Sequence, residues 1–163
     1  MIPLRDDLPT RSAPIVTITF IVACCVVFLW QISLGERGFQ VAVYSLGVIP
    51  ATLLGKETLP PEFFHIPPTL TVLSSMFLHG GWMHLIGNML YLWIFGNNVE
   101  DSMGHVRFVI FYLACGVAAA LAQALPNPDS VIPMIGASGA ISGVLGAYLL
   151  LHPRAHVLVL VPL

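Results

Sequence analysis

The sequence predicts an all-α, polytopic membrane protein: a helix bundle with four complete membrane-spanning helices and the start of a fifth. Composition is the first observation behind this prediction. Of the 163 residues, 57% are hydrophobic and only 9% are charged, whereas a soluble domain carries roughly 25% charged residues. The second observation is that four apolar segments are long enough to cross a bilayer, which takes about 20 mostly apolar residues.

Charge and cysteine content exclude several other classes. The net charge of −2 is small and the charged residues are scattered, so we expect no nucleic-acid partner. The three cysteines lie inside apolar segments, which is typical of small buried hydrophobic residues and not of a disulfide framework or a metal site. We therefore expect the lipid bilayer as the main surroundings, with no cofactor and no bound metal.

Four predicted spans follow one another along the chain. They are residues 15–34, a segment within residues 70–95, residues 106–125 and residues 134–151. A further apolar run begins at Val157, and it predicts the start of a fifth helix. The polar, proline-rich residues 1–14 show no signal-peptide pattern, so we expect the first span to be retained.

This division predicts two parts of the chain. Residues 1–14 form a cytoplasmic N-terminal segment, and residues 15–163 form a membrane domain that we expect to be truncated. Within that domain, residues 35–69 are a long outer loop with prolines and apolar stretches. A flexible linker would be more polar. The hypothesis is that this loop folds against the outer leaflet as an amphipathic element, and an ordinary extracytoplasmic loop is the alternative.

Lysine and arginine placement predicts the orientation, because cytoplasmic segments are enriched in both. With the N-terminus inside, the long outer connection holds only Arg37 and Lys56. The inside segments then hold Arg5, Arg11, Arg107 and Arg154. We therefore expect an integral, multi-pass protein with a cytoplasmic N-terminus, in a bacterial-type plasma membrane.

Polar side chains stand out in the second span, where they are costly and usually functional. His84 and Asn88 lie about 40° apart on one helical face at 100° per residue. His79 is about 140° away from His84 on a regular helix. The pair Gly80-Gly81 lies between them and predicts an irregular helix start, which frees the His79 side chain to point elsewhere.

The fourth span carries Ser138 among small residues. We expect Ser138 about one turn into this span, and His84 and Asn88 one to two turns into the second. At 1.5 Å rise per residue, this puts all three about 6–12 Å below the same outer surface. Four glycines recur at intervals of three and four residues, which favours close helix packing: Gly136, Gly139, Gly143 and Gly146. A purely structural role for this small-residue face is the alternative.

These residues resemble the motifs of the rhomboid intramembrane serine proteases. Residues 79–88 read His-Gly-Gly-Trp-Met-His-Leu-Ile-Gly-Asn, similar to the family's His-x4-His-x3-Asn. Residues 136–140 read Gly-Ala-Ser-Gly-Ala, similar to Gly-x-Ser-x-Gly with alanine in the last position. Residues 97–104, with an acidic residue and a glycine, resemble the family's second connection. The resemblance covers roughly residues 68–162.

The resemblance implies a rhomboid-like fold and a serine endopeptidase with Ser138 as nucleophile. The substrates implied are transmembrane proteins, cut in or near their membrane-spanning segments. It also implies an oxyanion hole formed by the Ser138 backbone N–H with the side chains of His84 and Asn88. His79, Gly136 and Gly139 are implied as supporting residues.

The family's catalytic base is a histidine on a sixth span, which these 163 residues do not include. Of the six histidines present, His65 falls in the outer connection, and three others fall near the cytoplasmic side. His84 has the right depth, but a histidine that donates to an oxyanion cannot also be the base. We therefore expect the base to come from outside this sequence.

Two alternative functions stay open. One is a non-proteolytic rhomboid-like protein that binds transmembrane clients, against which the joint presence of Ser138, His84 and Asn88 speaks. The other is a metal or proton transporter that uses the histidines. Metal sites favour histidine together with carboxylates or thiolates, and we expect no carboxylate within any span.

Overall fold

The computed structural model describes residues 2–63 and 66–161, and it is predominantly helical, as predicted. In chain order the elements are β1 (Ile2–Asp6), α1 (Ile15–Ser33), α2 (Gly35–Leu46), α3 (Pro50–Leu53), α4 (Pro68–Ser74), α5 (Trp82–Met103), α6 (His105–Ala124), α7 (Ser138–Leu151) and β2 (Val157–Leu160). Single 3₁₀ turns at Pro61–Phe63 and Ser75–Phe77 flank α4.

Two of the four predicted spans meet both criteria for a membrane helix, length and apolar composition. These are α1 and α6, whereas α7 is apolar but has only 14 residues. The helix α5 has 22 residues and would be about 33 Å long, but it carries polar residues at both ends. The count of four spans therefore stays a prediction.

The long helices alternate in direction around one core. The start of α1 hydrogen-bonds to Glu100 near the end of α5, while Gln31 near the end of α1 bonds to His79 just before α5. The two helices are therefore antiparallel. In the core, the rings of Phe20 and Tyr112 stack with centroids 4.3 Å apart, which joins α1 to α6.

Glycines bring α7 close to α6, as the spacing predicts. A Cβ atom added at Gly139 would lie 2.5 Å from the Cβ of Ala119, and one at Gly143 would lie 2.3 Å from Cys115 Sγ. Both approaches are too short for any side chain. The prediction is wrong for Gly146, because no described atom lies within 4 Å of a Cβ added there.

The second predicted span has different boundaries in the structure. The helix α4 and its 3₁₀ turn end at Phe77, and α5 begins only at Trp82. The Gly80-Gly81 pair has low helix propensity, which favours this break. At its far end α5 continues through the residues expected to form a connection. Only Gly104, with φ +80°, separates α5 from α6, and glycine adopts that conformation without steric cost.

The helix α5 extends beyond the predicted second span and includes Glu100, which is fully buried. Its oxygens accept hydrogen bonds from the backbone N–H of Val16 (2.8 Å) and of Thr17 (2.7 Å). They also bond to Thr17 Oγ1 at 2.7 Å and His105 Nδ1 at 2.6 Å. The first-turn N–H groups of a helix lack helical acceptors and favour a negative charge. Glu100 therefore caps α1 from a neighbouring helix.

The prediction of a fifth helix is wrong, since Val157–Leu160 is the strand β2. It pairs antiparallel with β1, from Ile2 opposite Leu160 to Asp6 opposite Val157. Alternating valine and leucine suit a strand, and β1 provides partners for the backbone groups of these residues. The N-terminal segment is therefore packed onto the helix bundle and is more than a polar tail.

The long connection between the first two spans contains the amphipathic helix α2, which buries Ala42 and Val43. Its contact with the outer leaflet stays a prediction. Beyond α2, Val48 exchanges two backbone hydrogen bonds with Met134, of 3.0 and 2.7 Å. Lys56 forms an exposed ion pair with Asp129 at 2.6 Å. This connection is therefore attached to the segment that precedes α7.

The fold separates the cationic residues as the orientation prediction requires. Arg11 lies beside Asp101 at the end of α5, and Arg107 lies in the first turn of α6. Arg37, in α2, and Lys56 lie towards the other end of the bundle. Which end faces the cytoplasm stays a prediction.

The cap on α1 generates a first test. Thr17→Val removes the buried hydroxyl that donates to the Glu100 carboxylate, and we expect the free energy of unfolding to fall by about 1.5–3 kcal/mol. Thr19→Val on the same helix is the matched control, because Thr19 is exposed and its hydroxyl donates to Ile15 O within the helix. Thermal unfolding in detergent micelles measures both variants. Equal effects would contradict the capping role of Glu100.

Candidate active site

The three polar residues singled out in the sequence border one groove between α5 and α7. Because α5 begins at Trp82, His84 falls in its first turn and Asn88 in its second, on the same face. Ser138 faces them from α7. The groove has a volume of about 320 Å³ and is lined by Met83, His84, Gly87, Asn88, Tyr91, Ser138, Ile141, Ser142 and Leu145.

Ser138 is the first residue of α7, which corrects the expectation that it lies one turn inside a helix. The preceding segment is non-helical: Met134 pairs with Val48, and Gly136 has φ +118° and donates its N–H to Ser75 O at 2.8 Å. At the first position the backbone N–H of Ser138 has no helical acceptor and lies at the positive end of the helix dipole. One turn further in, a helical carbonyl would accept that N–H.

Gly136 lies directly against His84. A Cβ atom added to Gly136 would lie 2.6 Å from both Cε1 and Nε2 of the imidazole. The ring therefore packs on bare backbone two residues before Ser138, and any side chain there would displace it. Gly139 has a different role, because it provides the close contact of α7 with α6.

A hydrogen bond from the backbone assigns the tautomer of His84. The N–H of Gly80 donates to Nδ1 of His84 at 3.3 Å. An Nδ1 that accepts a hydrogen bond carries no proton, so the neutral ring holds its proton on Nε2. Nε2 is the nitrogen that faces Gly136. His84 is thus arranged as a hydrogen-bond donor at this position.

Asn88 is buried in the groove wall. Its Nδ2 donates to the backbone carbonyl of His84 at 3.0 Å, which holds the amide in place. That bond uses one of the two amide hydrogens, so the second is available to a ligand. Within residues 2–63 and 66–161, the hydroxyl of Ser138 makes no hydrogen bond to His84, to Asn88 or to another group.

His79 lies in the break before α5 and not on the helix, as the glycine pair predicts. Its fully buried ring packs edge-on against His84, with centroids 5.2 Å apart. The side chain of Gln31 bonds to the backbone of His79 at both N–H (3.0 Å) and carbonyl (3.3 Å). Sequence reasoning missed Gln31. The signal was an amide inside an otherwise apolar span.

No further described histidine reaches Ser138. His105 bonds to Glu100, His152 to Ser102 Oγ at 3.2 Å, and His156 to Asp7 at 2.9 Å. These contacts lie near the last turns of α5 and α7, at the opposite end of the bundle from Ser138. His65 lies outside the described residues.

Ser138 also borders a second cavity, of about 430 Å³, on the side of α6. The polar residues Ser75 and Gln123 lie in its wall, together with residues 133–136. The serine therefore lies between the lateral groove and a partly polar cavity.

The close contact between Gly136 and His84 generates a second test. Gly136→Ala introduces a side chain at φ +118° and against the imidazole, and we expect it to destabilise the protein by about 1–3 kcal/mol. Gly146→Ala is the matched control, because the added methyl meets no described atom within 4 Å and alanine favours a helix by about 1 kcal/mol. Thermal unfolding compares the two. A Gly136→Ala protein as stable as the Gly146→Ala protein would contradict the contact.

Comparison with known proteins identifies the family. The Rhomboid domain model matches residues 68–163. Rhomboid protein 1, mitochondrial, of Saccharomyces cerevisiae is 33% identical over 130 residues, 76% of this chain and 37% of the relative. Rhomboid protease GluP of Bacillus subtilis is 44% identical over 78 residues, 48% of this chain and 15% of the relative. Rhomboid-like protease 5 of Toxoplasma gondii is 41% identical over 80 residues, 47% of this chain and 9% of the relative.

The chain spans little more than a third of the length of the yeast relative and less of the others. The yeast protein is named as mitochondrial, so the comparisons do not support a bacterial plasma membrane, which stays a prediction together with the orientation. The domain match covers more than half of the chain and agrees with the resemblance in the motifs around His84 and Ser138. The protein is an integral membrane protein and belongs to the rhomboid family.

Proposed function

We propose that the protein is an intramembrane serine endopeptidase with Ser138 as its nucleophile. It hydrolyses peptide bonds in or near the transmembrane segments of membrane-protein substrates. The observation that carries the proposal is the position of Ser138 at the start of α7. There its backbone N–H is unpaired by the helix, and its side chain borders the same groove as His84 and Asn88.

The proposed oxyanion hole has three donors. A tetrahedral oxyanion is stabilised by preorganised donors at about 2.7–3.1 Å, and we assign these to the Ser138 backbone N–H, His84 Nε2–H and the second amide hydrogen of Asn88. Preorganisation is supported by the contacts that hold each side chain. His84 is held by the Gly80 N–H and the Gly136 backbone, and Asn88 by the His84 carbonyl.

The proposed base lies outside these 163 residues. A serine hydroxyl needs a general base within hydrogen-bond reach. His84 is a poor candidate, because its Nδ1 accepts from Gly80 and its Nε2 therefore carries the proton. We assign the base to a histidine on a further span of the full-length protein, as the resemblance to the family's serine–histidine dyad implies.

Water and substrate would approach Ser138 from different sides. The cavity walled by Ser75 and Gln123 has room for water, which hydrolysis consumes and lipid excludes. The groove between α5 and α7 is apolar and open towards the side of the bundle, where Met83 is 80% exposed. A substrate helix entering there has to unwind locally before a peptide bond can reach the serine.

Other functions have less support. In a non-proteolytic protein that binds transmembrane clients, the oriented imidazole of His84 and the unpaired N–H of Ser138 would have no purpose. For a metal transporter, the described residues hold no group of three or more His, Cys, Asp or Glu side chains able to hold an ion. The buried carboxylate of Glu100 in α5 caps α1.

The nucleophile assignment is tested in the full-length protein. Ser138→Ala should abolish cleavage of a model transmembrane substrate while the protein still inserts and folds, because no other group supplies the attacking oxygen. Ser33→Ala is the control, since Ser33 is exposed and its hydroxyl donates to Trp30 O at the end of α1. Cleavage is followed by gel electrophoresis of the reconstituted reaction. Undiminished cleavage by Ser138→Ala would exclude Ser138 as the nucleophile, whereas a folded wild-type protein that cleaves nothing would favour client binding.

A separate experiment tests the oxyanion hole. Asn88→Ala removes one proposed donor, and we expect kcat to fall about 10²–10³-fold, as for the loss of a single oxyanion donor. Steady-state kinetics on the same substrate measures the change. A kcat within about threefold of the wild-type value would exclude Asn88 from the oxyanion hole.

A further inference from the structure

Gln31 is fully buried in α1, yet the proposed reaction gives it no role. Its side-chain amide faces the break before α5. Oε1 accepts the N–H of His79 at 3.0 Å, and Nε2 donates to the carbonyl of the same residue at 3.3 Å. Both backbone groups are buried in a non-helical segment, where an unpaired group costs about 1–3 kcal/mol. The Gln31 side chain thus satisfies both backbone groups of His79, as a neighbouring strand would.

The pairing extends to His84 through one peptide group. The carbonyl of His79 and the N–H of Gly80 belong to the same planar peptide, which is trans, and they point in opposite directions. One end accepts the hydrogen bond from Gln31, and the other end donates to Nδ1 of His84 at 3.3 Å. Fixing the carbonyl therefore fixes the direction of the N–H.

We infer that Gln31 is a positioning residue for His84, acting through the His79–Gly80 peptide to hold the imidazole in its orientation and in the tautomer with the proton on Nε2. The inference deepens the proposed function, on which its catalytic part rests. In a chain of hydrogen bonds, each bond also strengthens the next. The relay runs from the Gln31 amide in α1 to the His84 imidazole in α5 through the His79–Gly80 peptide.

The surroundings of the imidazole explain why the relay is needed. The Gly136 backbone bounds the ring on the Nε2 side, and the edge-on ring of His79 lies 5.2 Å away between centroids. These contacts restrict the ring sterically but do not choose between its tautomers. A donor at Nδ1 does so, and among the described residues that donor is the Gly80 N–H.

The variant Gln31→Met tests the inference, because methionine has a similar length and makes neither hydrogen bond. In the full-length protein labelled with ¹⁵N-histidine, we expect the wild-type His84 to show an unprotonated Nδ1 and a protonated Nε2 by NMR. Gln31→Met should show a mixture of tautomers. A His84→Ala sample assigns the resonances. The matched control is Thr17→Val, which also removes a buried hydrogen bond of α1 but at the opposite end, and it should leave the tautomer unchanged.

Kinetics supplies a second readout. We expect kcat of Gln31→Met to fall about 10–100-fold, the scale on which a remote change misplaces a catalytic group. KM should stay within about threefold, because the donor acts on the transition state and not on substrate binding. A general loss of structure would instead reduce the fraction of active protein and would affect Thr17→Val as well.

If Gln31→Met does not fold, Gln31→Asn replaces it, because asparagine keeps a neutral amide but is one methylene too short to form both hydrogen bonds with His79. An unchanged His84 tautomer in the folded variant overturns the inference. The NMR readout needs no turnover, so it is independent of the proposed function. A tautomer change together with an inactive wild type would support the positioning role and contradict the protease assignment.

Discussion

The structure depends on the pairing of backbone groups in two non-helical segments, residues 78–81 before α5 and residues 133–137 before α7. Buried backbone groups outside helices and strands have no regular partners, so the protein itself has to provide them. The side chain of Gln31 serves the first segment, while Val48 and the carbonyl of Ser75 serve the second. Each pairing sets the residue at which the following helix begins. The helix α5 begins at Trp82, with His84 in its first turn, and α7 begins at Ser138.

The two ends of the bundle use their hydrogen bonds differently. At the end that holds β1 and β2, the polar groups are paired with one another: Glu100 caps α1, and Tyr148 donates to Asp6 at 3.0 Å. At the other end, the N–H of Ser138 and one amide hydrogen of Asn88 stay available. A helix start with no cap is unfavourable for stability alone, which is consistent with a site that provides its donors to a reacting oxygen.

Much of the candidate site was predictable because its signals are local. The three-to-four-residue period puts His84 and Asn88 on one face whatever surrounds the helix. The Gly80-Gly81 pair similarly predicts an irregular segment, which frees the His79 side chain from the direction that a regular helix would impose. The roles of Gln31 and Glu100 were not predictable, because each acts on a partner 48 or more residues away in the chain. The true position of Ser138 was missed for the same reason, since Val48 and Ser75 decide where α7 begins.

The sequence by itself determined the membrane class, the helical class, the family and the set of candidate site residues, since composition, hydrophobic period and motif spacing are properties of neighbouring residues. Tertiary structure alone decided the helix boundaries, the strand at Val157–Leu160 and the tautomer of His84. Each of these depends on which distant group offers a hydrogen bond or open space. A helix continues until a competing partner or a glycine conformation ends it. That is why the serine predicted inside a helix lies instead at its first residue, with its N–H unpaired.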